Sequence, residues 1–107
     1  MSWNLWLDDF RDPTDDRDWM VARDYHEAVE LVERYGFPGH IAFDHDLGFE
    51  TLTGYDFARW LVERDMENGQ IPDDMTFSIH SANPVGADNI KHLMTNYLYM
   101  RKARKNV

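Results

Sequence analysis

The sequence has 107 residues, 43% of them apolar, enough for one compact core and too few for two, so a single domain over residues 1–107 is expected. It contains no cysteine, which excludes disulfides, thiolate metal sites and a cysteine nucleophile; any metal must be held by oxygen or imidazole. The formal charge of −9 is uneven, with +4 in the last seven residues and −13 before them, so the body repels a phosphate backbone and extended DNA binding is not expected.

The basic end (Arg101, Lys102, Arg104, Lys105) reads as favourable charge at a helix C-terminus. No apolar stretch approaches the roughly 18 residues needed to cross a bilayer, and the N-terminus lacks the basic flank and apolar core of a signal peptide. The expectation is a soluble cytoplasmic protein with no membrane partner.

In chain order, Trp3 to Leu7 is apolar on nearly both faces, which suits a central parallel strand, and it stops at Asp8-Asp9. Phe10 to Asp18, rich in Asp and carrying Pro13, reads as a loop, and Trp19 to Arg23 as a second short strand. Asp24 to Glu27 has the capping-box pattern, and Ala28, Leu31, Val32 and Tyr35 have helical spacing up to Gly36. His40 to Phe43 forms a third strand that delivers Asp44, His45 and Asp46 into a loop. Thr53 to Asp56 is another capping box, followed by Phe57, Trp60 and Leu61 on one face until Asn68-Gly69. Met75 to His80 alternates as a strand nearer the sheet edge, and Ile90, Leu93, Met94, Tyr97 and Leu98 trace a long amphipathic helix.

This order predicts an α/β, flavodoxin-like domain: a mostly parallel four-stranded sheet ordered 2-1-3-4 with three helices. The carboxyl ends of the first and third strands then meet at the switch point, where ligands bind in such sheets. The last helix is expected to cover the face left bare by the missing helix between the first two strands.

Residues that follow separate strands converge at that edge. Asp8, Asp9 and Asp44 together suit Mg²⁺ or Mn²⁺, which take hard oxygen ligands; for Asp9 alone, loop solvation explains the residue equally well. His45 and His80 are candidates to divide acid and base work across one phosphate, one withdrawing a proton and the other protonating a leaving oxygen. The competing reading is a histidine with one satisfied hydrogen bond. Ser81, Asn83, Gly86 and Asn89 lead into a helix N-terminus that favours an anion, against a reading in which Ser81 and Asn83 only shape the turn and Asp88 caps the helix. Arg11 is either a phosphate clamp or an exposed partner of Asp12 or Asp15. Trp3, Trp6, Phe43, Phe57 and Trp60 are assigned to the core.

Leu7-Asp8-Asp9, Asp44 and Ser81 resemble a response-regulator receiver domain. More specifically, Leu5 to Pro13, Asp44 to Gly48, Thr53 to Asp56 and His80 to Gly86 resemble the cyclic-phosphate processing receiver-like family, over nearly the whole chain. The resemblance implies a receiver-like fold and the processing of cyclic phosphates, either RNA 2′,3′-cyclic phosphate ends or cyclic nucleotides. Asp44, His45 and His80 would be catalytic, and Arg11, Ser81, Asn83, Gly86 and Asn89 would hold the phosphate. No fifth strand with a receiver's lysine follows in this sequence, and histidines flank the acid and hydroxyl positions, so phosphorelay through Asp44 is not expected. The rival expectation is a non-catalytic module that sequesters a nucleotide or, being strongly acidic, docks on and regulates a protein partner that has a basic surface.

Overall fold

A computed structural model describes residues 2–48 and 50–105, with Lys105 described for its backbone alone. The strands are β1 (Asn4–Leu7), β2 (Trp19–Ala22), β3 (His40–Phe43) and β4 (Thr76–Ile79), and the helices α1 (Tyr25–Tyr35), α2 (Gly54–Asn68) and α3 (Pro84–Lys105). All neighbouring strands run parallel in the order β2-β1-β3-β4. This is the α/β, receiver-like sheet that the element order predicts.

The register divides the sheet into two unlike faces. Leu5, Met20, Ile41 and Phe77 share one row, and Leu7, Ala22, Phe43 and Ile79 another; since side chains alternate along a strand, both rows face the same way. That face meets Ala28 and Val32 of α1, Phe57, Ala58 and Leu61 of α2, and Ile90, Met94 and Tyr97 of α3 in one apolar cluster. All three helices therefore lie on one side. The last helix does not cover the opposite face as expected, because its apolar stripe packs against α2. Instead the loop between β1 and β2 folds over that second face. Trp6 donates its indole N–H to the Arg11 carbonyl at 2.9 Å, Asn4 its side-chain amide to the Asp18 carbonyl, and Trp19 its indole to Asp15 at 2.7 Å.

Helix ends follow local chemistry, with two shifts from expectation. Thr53 and Asp56 make the reciprocal capping box, whereas Asp24 accepts from Glu27 N while the Glu27 carboxylate reaches Arg23 N, one residue earlier than a box requires. α3 is capped by Asn83, whose side-chain oxygen accepts from Gly86 N at 3.0 Å, and Pro84 takes the first helical position, where its missing N–H costs nothing. Asp88 lies inside the helix and does not cap it.

A buried ion pair locks α3 to the rest. Asp65 on α2 accepts from Ile71 N at 2.7 Å, Tyr97 Oη at 2.6 Å and Arg101 Nε at 2.6 Å, and Arg101 also donates to the Ile71 carbonyl. Burial alone would raise the Asp65 pKa, but these donors outweigh it and hold it below the ordinary value; the Tyr97 hydroxyl, buried against the carboxylate, is pushed up to about 12. Arg101 is thus folded inward rather than displayed on the basic end. Breaking such a pair leaves an uncompensated buried charge. Asp65→Ala is expected to cost about 3–5 kcal/mol in urea unfolding, with Asp65→Leu combined with Arg101→Met recovering much of the loss.

Candidate functional site

The sheet ladder continues one residue past each strand. Asp8 N donates to the Ala22 carbonyl, Asp44 N to the Leu7 carbonyl and His80 N to the Phe43 carbonyl, at 3.1, 2.9 and 2.9 Å. Alternation therefore turns Asp8, Asp44 and His80 to the side of Trp6, the face without helices. The His80 ring lies flat on the Trp6 indole, centroids 4.1 Å apart and planes 8° from parallel.

Asp8 is fully buried, and both its oxygens are engaged. One accepts from Phe10 N at 3.0 Å and Arg11 N at 2.9 Å; the other accepts from Arg11 Nε at 2.9 Å and faces His80 Nε2 at 3.1 Å. Arg11 also donates to the His80 carbonyl at 3.0 Å and approaches Asp44 at 3.6 Å. One guanidinium thus joins the ends of β1, β3 and β4. It neutralises the acidic edge from within.

The two carboxyls are driven in opposite directions. Asp8 suffers desolvation that would raise its pKa, yet the backbone donors of Arg11 and Phe10, with the charges of Arg11 and His80, bring it below its ordinary value. Asp44, also buried, is raised by desolvation and by the neighbouring Asp8 charge, against a weaker pull from Arg11 and His80. Neighbouring titratable groups split in this way are a recurring mark of acid–base sites. His80 is lowered, by desolvation first and by Arg11, with Asp8 and Asp44 opposing. A neutral ring then donates Nε2–H to Asp8, and its Nδ1 is buried without a hydrogen-bond partner.

His45 belongs to a second cluster. Its Nδ1 faces Asp46 at 2.9 Å and Asn83 Nδ2 at 3.5 Å, and Asn83 donates to Asp46 at 3.4 Å. The ring is packed so closely on Gly86 that a Cβ there would fall 2.3 Å from His45 Cγ. Gly86 therefore serves the seating of His45 against the first turn of α3. Gly54 does the same for the strand end, since a Cβ would lie 1.9 Å from the Asp44 carbonyl oxygen.

An open crevice of roughly 520 Å³ lies beside these clusters, lined by Asp9, Phe10, Arg11, Asp44, Asp46, Gly48 and Ala82. Of the residues singled out in the sequence, the structure gathers Asp8, Arg11, Asp44 and His80 in one network, and His45, Asn83 and Gly86 in the other. Ser81 accepts from Asn83 N at 3.1 Å and shapes the turn; Asn89 is an exposed position farther along α3. Asp8, Asp9 and Asp44 each offer an oxygen within 4.8 Å of the others.

Sequence reasoning missed three participants. Trp6, assigned to the core, is the platform for His80; its parity opposite Leu5 and Leu7 is the signal that it occupies the other face. Arg23 donates to the Asp8 and Arg11 carbonyls and pairs with Asp12; it directly follows β2, level with Asp8. Phe10 lines the crevice beside Arg11.

A parallel sheet of this order, with acids after its first and third strands, defines a receiver-like domain. The chain belongs to the Cyclic-phosphate processing Receiver domain family, which it matches over residues 3–96. Among solved structures it is similar to a fusion carrying amino acids 181–211 of the yeast Spc42 trimeric coiled coil, at 14% identity and a TM-score of 0.51, covering 97% of this chain and 82% of that one. It is also similar to NtrX from Brucella abortus, at 16% identity and a TM-score of 0.50, covering 99% of this chain and 29% of that one. At these identities the likeness shows the fold alone. No curated protein matches the chain.

The His80 environment has a thermodynamic consequence. Its folded-state pKa is depressed, so the unfolded chain takes up the proton first. This contribution to stability is complete above the ordinary value of 6.5 and declines as pH falls through 6.5 towards the folded-state value. Urea unfolding between pH 7 and pH 5 is expected to show falling stability, with a shallower fall in His80→Gln; equal slopes would contradict the assignment.

Proposed function

We propose that the protein is a phosphoesterase that opens a cyclic phosphate, at an RNA 2′,3′-cyclic phosphate end or in a cyclic nucleotide, in the crevice beside Asp44. The observation that carries this reading is the opposed pair of carboxyls, Asp8 and Asp44, bridged by Arg11 at the edge of a domain in a cyclic-phosphate processing family.

Hydrolysis adds water to phosphorus and breaks one P–O ester bond, so one proton must leave the water and one must reach the departing oxygen. Asp44, the carboxyl whose pKa is raised, supplies the proton to the leaving oxygen. His45, held through Nδ1 by Asp46 of the crevice lining, takes the proton from water. Arg11 binds the phosphoryl oxygens, for which a guanidinium has the matching geometry. With its Nε2 on Asp8 and its Nδ1 buried, His80 acts by keeping Asp8 ionised and in place; direct proton transfer would require it to leave Asp8.

When Asp44 is ionised, the donor set of Asp8, Asp9 and Asp44 fits a hard divalent cation, Mg²⁺ or Mn²⁺, since three carboxylate oxygens converge; a cation there and the proton that Asp44 donates exclude each other. Those residues would hold it, and its chemistry would be neutralisation of phosphoryl charge. Arg11 draws on the same carboxylates, so the cation and the guanidinium weaken each other's hold.

Turnover of adenosine 2′,3′-cyclic phosphate and of cyclic dinucleotides, with and without Mg²⁺ or Mn²⁺, tests the reading. Wild type is expected to hydrolyse at least one of them, and Asp44→Asn and His45→Ala to lose about 100-fold or more in rate. Absence of turnover for all of them would overturn it.

A binding module without catalysis is the second reading, favoured by one observation: the Asp8 oxygens and His80 Nε2 are already committed to internal partners, and His80 Nδ1 is buried. Calorimetry separates the two. Tight binding of a cyclic nucleotide without turnover, unaffected by a chelator, would support the module.

A further inference from the structure

Phe10 is 76% exposed, while the other described phenylalanines, Phe37, Phe43, Phe57 and Phe77, are buried or half-buried in or against the core. Single exposed apolar residues are ordinary on protein surfaces. What sets Phe10 apart is the backbone that carries it. Its own N–H and that of Arg11 are held by one Asp8 oxygen, the Arg11 carbonyl accepts from Trp6 Nε1 and Arg23 Nη1, and the Asp8 carbonyl also faces Arg23 Nη1. A solvent-facing phenyl is thus mounted on a loop segment fixed at both ends, and it lines the same crevice as Arg11 and Asp44.

We propose that Phe10 is a specificity-determining residue, a stacking platform for the nucleobase of a nucleoside cyclic phosphate whose phosphate lies on Arg11. The inference rests on the proposed cyclic-phosphate site and deepens it by naming the residue that recognises the base of its substrate. Residues 10 and 11 are adjacent, with Cα atoms about 3.8 Å apart, and both line the one crevice into which a nucleotide would fit. Every base offers a π-face to such a ring, and stacking of this kind tolerates different bases while rejecting ligands that lack one. The fixed backbone means little ordering remains to oppose binding.

Calorimetric titration of wild type, Phe10→Ala, Phe10→Leu and Phe10→Trp with adenosine 2′,3′-cyclic phosphate and with the base-free methyl riboside 2′,3′-cyclic phosphate tests this. Phe10→Ala and Phe10→Leu are expected to bind the adenosine ligand about tenfold more weakly, with Phe10→Trp at least as tight as wild type. The base-free ligand should bind all four proteins alike. Equal affinity of wild type and Phe10→Ala for the adenosine ligand, or an equal loss for both ligands, would overturn the inference. A parallel turnover assay separates the two claims. Base-dependent binding without hydrolysis sinks the phosphoesterase reading and leaves Phe10 in its role, and hydrolysis indifferent to Phe10 does the reverse. No binding of either ligand by wild type defeats both.

Discussion

A carboxylate withdrawn from water is costly unless donors replace its hydration, and Asp8 is withdrawn completely. Its donors come from two stretches of chain: the turn at Phe10 and Arg11 together with the Arg11 guanidinium, and His80 at the end of β4. Satisfying this one group therefore fixes the direction in which the chain leaves β1, the position of the guanidinium and the tilt of an imidazole from the far side of the sheet. The crevice, the split between the two carboxyls and the mounting of Phe10 all follow from that requirement.

The sheet allows this because, among the described residues, one face has no helix. Parallel strands are ordinarily covered on both faces, and here the second cover is an acidic loop tied down by indole and guanidinium donors. A helix in that position would occupy the space in which Arg11 returns to Asp8 and His80 lies on Trp6. The opposite face carries the stability, through the apolar cluster and the buried Asp65–Arg101 pair. Core and site are thereby separated onto the two sides of one sheet.

Much of this was legible in the residues. Acids at the ends of apolar runs marked the carboxyl edge and made the first and third strands neighbours, and capping patterns marked α1 and α2, so element order could be read directly while the full strand order came from likeness to flavodoxin-like sheets. The side taken by α3 could not, for a physical reason. Right-handed crossovers fix the face of α1 and α2, which each join two parallel strands, but no described strand follows α3, so only the meeting of Ile90, Met94 and Tyr97 with α2 decides its place. Asp88 looked like a cap because its side chain suits one; Asn83 takes the role because Pro84 starts the helix directly after it. The division of the two histidines between separate networks was likewise invisible, since it depends on Gly86 admitting the His45 ring and on Trp6 receiving the His80 ring.

The account stands on Arg11 bridging two carboxyls that the fold drives apart. The most direct measurement is a carbon-13 NMR titration of the Asp8 and Asp44 carboxyls in wild type and in Arg11→Met. Asp8 is expected to titrate below the ordinary 3.8 and Asp44 above it, with both moving upward when the guanidinium is removed. Two carboxyls titrating together near the ordinary value, or an Asp44 indifferent to Arg11, would contradict the account.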